Sequence, residues 1–189
     1  MTDAPLILGL DSSAAHCAVA VVRGDAVLAS AGEEMARGQA ERLMSMAQEV
    51  LDAAGIGWSD LSALAVGTGP GNFTGIRIGV SAVRGLALGL GIPAYGVTGF
   101  EARRSNPGTQ VSIPAPRDMA YVLDGDTPRL VPMADIAHPA AALAPDALAE
   151  AIALEGASRW PTPAAAPAPF YIKPPDAAPA RDAPPVILP

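Results

Sequence analysis

Phosphate chemistry is the first possibility the sequence raises. Residues 67–72 read Gly-Thr-Gly-Pro-Gly-Asn, between a short apolar run, Leu64 to Val66, and a helical pattern that lasts to Gly91 and Pro93. A glycine-rich turn between a strand and a helix points backbone amides outward at the helix start, where the dipole favours an anion. The P-loop pattern also demands a lysine followed by serine or threonine. The only lysine in the chain is Lys173, and Asn72 stands where a dinucleotide fingerprint wants its third glycine. The other reading of these glycines is structural, a tight turn that lets a helix pack closely on a sheet. Asp11, at the end of the apolar run Leu6–Leu10, offers the same choice. It could orient a metal-bound phosphate, or bond its own backbone in a turn.

Other chemistry is thinly represented. His16 and His138 are the only histidines and Cys17 the only thiol. A metal site needs several such ligands converging, and strand neighbours such as His16 and Cys17 point to opposite faces. Neither histidine lies in a recognisable nucleophile motif, and no carboxylate pair suggests acid–base work. The sequence therefore argues against autonomous catalysis.

The elements that must carry these residues are legible in the first hundred positions. Strands are expected at Leu6–Leu10, Cys17–Val22 and Val27–Ala31, with a turn at Arg23–Ala26. Gln39–Ala54 reads as an amphipathic helix ended by Gly55 and Gly57. Leu64–Val66 is a strand, Thr74–Gly91 a helix, Pro93–Val97 a strand and Thr98–Arg104 the start of a helix. The order βββαβαβα predicts an α/β fold, a mixed sheet flanked by helices. The helix after the glycine loop is apolar on every side, from Ile76, Ile78 and Val80 round to Leu86, Leu88 and Leu90. Gly75 with Gly79, and Gly85 with Gly89, leave flat places on it. Such a helix is either central in its own fold or shared between its sheet and a second protein. Arg77, Arg84 and the glycines argue against a membrane span.

Past residue 105 the composition changes. Sixteen of the 19 glycines precede residue 100 and 17 of the 20 prolines follow residue 105, which predicts a compact lobe, a thinner portion and a loose tail. Val111–Ile113 and Ala120–Leu123 read as a strand pair turned at Asp124–Asp126, and Ala140–Ala153 as a weakly amphipathic helix. Phe170-Tyr171-Ile172 is a cluster able to dock back, and Lys173-Pro174-Pro175 cannot be helical. The domain expectation is 1–105, 106–160 and 161–189. A net charge of −7 over 189 residues argues against unaided affinity for nucleic acid. A single cysteine and an N-terminus without a basic or secretory segment suggest the cytoplasm.

Three stretches carry a family resemblance: Leu8-Gly9-Leu10-Asp11-Ser12-Ser13, then Gly69-Pro70-Gly71-Asn72-Phe73-Thr74-Gly75-Ile76-Arg77-Ile78-Gly79, then Gly96-Val97-Thr98. They closely resemble the TsaB family, accessory subunits of bacterial tRNA threonylcarbamoyladenosine synthesis. The match is good over about 6–105 and returns weakly at 111–122 and 171–175.

The resemblance implies an actin-like ATPase (ribonuclease H-like) lobe with a degenerate active centre and no catalytic or metal-binding residues. Asp11, Ser12, Gly69, Gly71, Asn72 and Thr74 would be its phosphate-loop remnant. It implies pairing with a TsaD-like catalytic homologue through two helices, and work with a TsaE-like ATPase. ATP would be used by the complex rather than held as this chain's own cofactor, and tRNA met indirectly. The partner-facing residues would be Leu43, Met44, Ala47, Val50 and Leu51 on the first helix. On the second they would be Gly75, Ile78, Gly79, Ala82, Val83 and Leu86. The isolated chain could also form a homodimer through the same helices. Some relatives carry an older glycoprotease-like label, for which no catalytic set is visible. The chain departs from the family in Gln39, where many members have histidine, and in a reduced second lobe. The competing expectation is a nucleotide-binding ATPase or kinase-like enzyme of the same fold, using Asp11 and the loop 67–74.

Overall fold

The computed structural model describes residues 4–103, 110–139 and 142–172. Strand β1 (Leu6–Asp11) pairs antiparallel with β2 (His16–Arg23), and β2 with β3 (Ala26–Glu34) across a bulge at Val21/Val22. On its other side β1 pairs parallel with β4 (Ala63–Gly67), and β4 parallel with β5 (Ala94–Val97). The sheet order is therefore β3-β2-β1-β4-β5. Antiparallel partners follow one another through short turns, whereas the parallel ones need helical crossovers. Those crossovers are α1 (Gln39–Ala54) and α2 (Phe73–Leu90). Both end on a left-handed glycine, Gly55 and Gly91, as their sequences predict.

Alternation along the strands splits the core into two faces. Leu8, Leu10, Cys17, Val19, Val21, Leu64 and Val66 meet α1 and α2 on one face. Leu43, Met46, Val50 and Leu51 of α1 are fully buried there, each large side chain contributing about 1.5–3 kcal/mol. Ile7, Ala18, Ala20, Val22, Ala63, Ala65 and Tyr95 form the opposite face. After β5 comes a single turn of helix, α3 (Gly99–Ala102). It is held by a reciprocal cap in which Thr98 N–H donates to Glu101 Oε2 at 2.7 Å and Glu101 N–H to Thr98 Oγ1 at 3.2 Å.

Two expectations are corrected downstream. The strand pair is a three-stranded meander, β6 (Ser112–Ala115), β7 (Met119–Asp124) and β8 (Thr127–Pro132). Two prolines hide β8 in the sequence, but it pairs on one side only, where a missing N–H is tolerated. The last helix, α4 (Pro145–Arg159), starts later than the alanine run suggests and does not belong to a second lobe. It lies on the outer face of the first sheet, burying Leu148, Ala149, Ile152 and Ala153 against Ile7, Ala18 and Ala65. Glycine makes that approach close: a Cβ at Gly9 would stand 2.7 Å from Ala153 N. Arg159 then ties the helix end down. It reaches Glu155 at 2.8 Å, Glu101 at 3.0 Å and the Gly96 carbonyl at 2.8 Å. The small sheet, with Met133 and Ile136 packed on it, thus lies in the chain between α3 and a helix that covers the first sheet.

Beyond α4 an extended strap returns across the lobe. Thr162 O accepts from the Tyr95 hydroxyl at 3.0 Å, and Phe170 N–H donates to Thr68 O at 2.8 Å. Phe170 meets Phe100 edge-on and Tyr171 stacks on Phe73 with centroids 4.9 Å apart. The Phe170–Ile172 cluster therefore docks on the loop that starts α2. Arg104, Ala140 and the Lys173-Pro174-Pro175 stretch with the rest of the tail lie outside the described residues.

Candidate functional site

The glycine loop and Asp11 come together beneath the start of α2. Asp11 is 1% exposed, and its Oδ1 is occupied by this chain's own groups. Ser13 N–H donates to it at 3.0 Å, the Ser13 hydroxyl at 2.9 Å, and His16 Nε2 lies 2.6 Å away. Asp11 thus makes the turn-forming bond to its own backbone two residues on. His16 joins it through a five-residue return that the sequence alone does not reveal.

Ser12 and Ser13 fill the space under the helix start. The Ser12 hydroxyl donates to Gly75 O at 2.9 Å, and Asn72 N–H donates to Ser13 O at 2.6 Å. A Cβ at Gly71 or Gly75 would run into the Ser13 or Ser12 carbonyl oxygen. Asn72 caps α2 by accepting Gly75 N–H at 2.9 Å. Two of the amides an anion would use are thus spent on Ser13 and Asn72, and the glycines serve close packing. Gly69 (φ 99°) has a left-handed backbone, and its carbonyl accepts Gly99 N–H at 2.8 Å. Thr74 is exposed.

Several charged groups of this region are met by the chain's own atoms. Burial pulls the Arg103 guanidinium below its ordinary range while the Asp11 charge holds it up, and it donates to Gly99 O at 3.1 Å. Burial pushes the Cys17 thiol up to about 11, so it is protonated at neutral pH and is no nucleophile. Arg42 bridges β3 and α1, with Glu33 at 2.6 Å and Glu49 at 2.7 Å. Its hydrogen bonds hold both carboxylates below their usual range. Among the described residues no group of three or more His, Cys, Asp or Glu is placed to hold a metal ion.

The helix pair gives a second candidate surface, and here the structure redraws the expected residues. Leu43, Ala47, Val50, Leu51, Gly75, Gly79 and Val83 are buried in the chain's own core. An apolar residue on an all-round apolar helix does not announce which side it faces. Met44, Ile78, Ala82 and Leu86 keep exposed area, Met44 at 39%. Sequence reasoning left out Leu88, which is 87% exposed, and did not separate the two glycine pairs. A Cβ at Gly85 or Gly89 would meet nothing within 4 Å. Only 28% of α2 is buried, although its composition is apolar enough for a membrane span. Its buried face against β4 marks it as a core helix of this sheet.

The 3-2-1-4-5 order of the mixed sheet, with helices on both faces, defines a domain of the ribonuclease H-like, actin-like ATPase type. The sequence profile of the family described as TsaD, tRNA N6-adenosine threonylcarbamoyltransferase, matches residues 13–155, and the chain belongs to that family. It is 39% identical over 92 residues to the tRNA threonylcarbamoyladenosine biosynthesis protein TsaB of Escherichia coli (strain K12), covering 49% of this chain and 39% of that protein. It is 37% identical over 129 residues to the tRNA N6-adenosine threonylcarbamoyltransferase of Jannaschia sp. (strain CCS1), covering 57% and 36%. A crystal structure from Pseudomonas aeruginosa, an uncharacterized protein with similarity to peptidase YeaZ, superposes with a TM-score of 0.73 at 25% identity. That match covers 89% of this chain and 100% of the other. The chain spans about 40% of the length of the TsaB proteins of E. coli and Haemophilus influenzae that it matches.

Proposed function

We propose that the chain is a non-catalytic scaffold subunit in the cytoplasmic formation of N6-threonylcarbamoyladenosine in tRNA. It pairs through α1 and α2 with a TsaD-like catalytic homologue and works with a TsaE-like ATPase. The observation that carries the reading is the outer side of α2. Leu88, Gly85 and Gly89 stand open on a helix that is apolar yet 28% buried, a face suited to a second helix at close range. The relatives named for this modification supply the identity of the system. The occupied Asp11 carboxylate and the Ser12–Ser13 packing under α2 support a scaffold over the ATPase reading.

Gly85→Trp tests this directly, because the site has room and the fold does not use it. The variant keeps the wild-type melting temperature and loses coelution with the catalytic homologue in size-exclusion chromatography. An unchanged complex refutes the helix-pairing reading. Gly79 is unsuitable for this test, since a Cβ there would stand 3.0 Å from Ser12 Oγ and 3.3 Å from Val66 Cγ2.

A further inference from the structure

The flank of α2 turned toward the strap carries arginines and aromatic rings beside the open Gly85 and Leu88. Phe73, Arg77, Val80, Ser81 and Arg84 face Pro169 and Tyr171 across a cavity of about 600 Å³. Among the described residues Arg42, Arg129 and Arg159 are ion-paired, whereas Arg77 and Arg84 have no carboxylate partner. The Arg77 guanidinium lies 5.2 Å from the Phe73 ring centroid, and Phe73 in turn stacks on Tyr171. Arginine, Phe73 and Tyr171 form a ladder whose last ring, Tyr171, is 40% exposed. Arg84 also lines a neighbouring cavity of about 570 Å³, shared with Gly85 and Leu88 and closed by Ile92, Ala164 and Pro167.

We propose that this flank binds a single-stranded segment of RNA, with phosphates on Arg77 and Arg84 and a base stacked on Tyr171. Two arginines seven residues apart stand about 10 Å apart along a helix, which suits two phosphates of one strand. An aromatic ring with an open face beside unpaired cations is the arrangement that holds unpaired nucleotides without base pairing. The alternative ligand, an acidic peptide, is less well served. The strap wall presents Pro167 and Pro169, which have no N–H to offer an extended chain. The site must act locally, because the net charge of −7 gives the chain as a whole no attraction for nucleic acid. The choice of RNA rests on the function proposed above; the cationic, aromatic character of the groove does not.

The test titrates the full chain into a fluorescein-labelled RNA hairpin with an unpaired loop, read by anisotropy at about 50 and about 200 mM salt. The double variant Arg77→Glu/Arg84→Glu binds at least about tenfold more weakly, and its salt slope falls by about 1.4, the value for two single-strand phosphate contacts. Tyr171→Ala weakens binding about fivefold or more and leaves the slope unchanged. Both arginines are exposed, so the double variant keeps the wild-type melting curve. Arg84→Glu alone, at an exposed side chain, repeats the loss in smaller measure. No binding by the wild type at about 50 mM salt, or equal binding by the double variant, overturns the proposal. So does a double variant that loses the catalytic homologue while holding RNA unchanged, which assigns the arginines to a protein contact. Coelution with that homologue, measured in parallel, separates the two readings. Its absence with RNA binding intact refutes the scaffold reading alone.

Discussion

Gly75/Gly79 and Gly85/Gly89 have the same i,i+4 spacing on one helix and meet opposite surroundings. The first pair is pressed against the β1–β2 turn, where added side-chain atoms would strike Ser12, and in the case of Gly79 also Val66. The second pair faces open space beside an exposed leucine. Spacing alone marks a flat surface; what lies against it is decided by the fold. At the first pair the chain is its own partner, and only the second is free to receive another.

The largest effect expected from this contrast is at Gly75. Gly75→Val drives a branched side chain into the Ser12 carbonyl and costs about 3 kcal/mol or more. For a chain of this size that lowers the melting temperature by roughly 6–12 °C in calorimetry. A melting point within a degree of wild type means the two pairs are not different after all.

The closed side can also be probed from beneath, at Cys17, which packs in the same core layer as α1 and α2. Its folded pKa is raised from 9.0 to about 11, so the folded state favours the protonated thiol. The stability this contributes is intact below pH 9 and is lost as the pH rises through 11, reaching about 2 kcal/mol. Denaturant midpoints of wild type and Cys17→Ala, followed from pH 8 to 11, should converge by that amount. Parallel curves remove Cys17 from the closed layer.

The smallest effect sharpens the contrast most. Gly85→Ala stabilises by about 0.5–1 kcal/mol, because alanine is the better helix former and meets no neighbour. Gly79→Ala, under Ser12 Oγ, does not show that gain. Thermal melts of the two single variants, run side by side, decide it; equal shifts would erase the distinction drawn here.

Much of this lobe is written locally. The bounds of α1 at Gln39 and Ala54 follow from an apolar stripe and a terminating glycine, and the unit β4–loop–α2 from an apolar run, a glycine turn and an Asn cap. What escaped the sequence depends on distance. Helix α4 is alanine-rich all round and has no stripe to say what it covers; its seat is made by Gly9 and the alanines of β2 and β4. Strand β8 is concealed by Pro128 and Pro132, whose cost vanishes only because the strand is at an edge. His16 and Asp11 read as separate residues until a turn lays one against the other. Apolar residues on α1 and α2 report hydrophobicity in the sequence, and which of them are buried is settled by the sheet they meet.

The small meander leaves the lobe and comes back at nearly the same place. Gln110 pairs with Pro139 in an isolated bridge, and its N–H donates to His138 O at 3.0 Å. Where entry and exit are fastened together like this, whatever lies between behaves as a cassette. Its strands can be lengthened, shortened or exchanged while the five-stranded sheet keeps its register, so size differences among relatives need not disturb the helices they share.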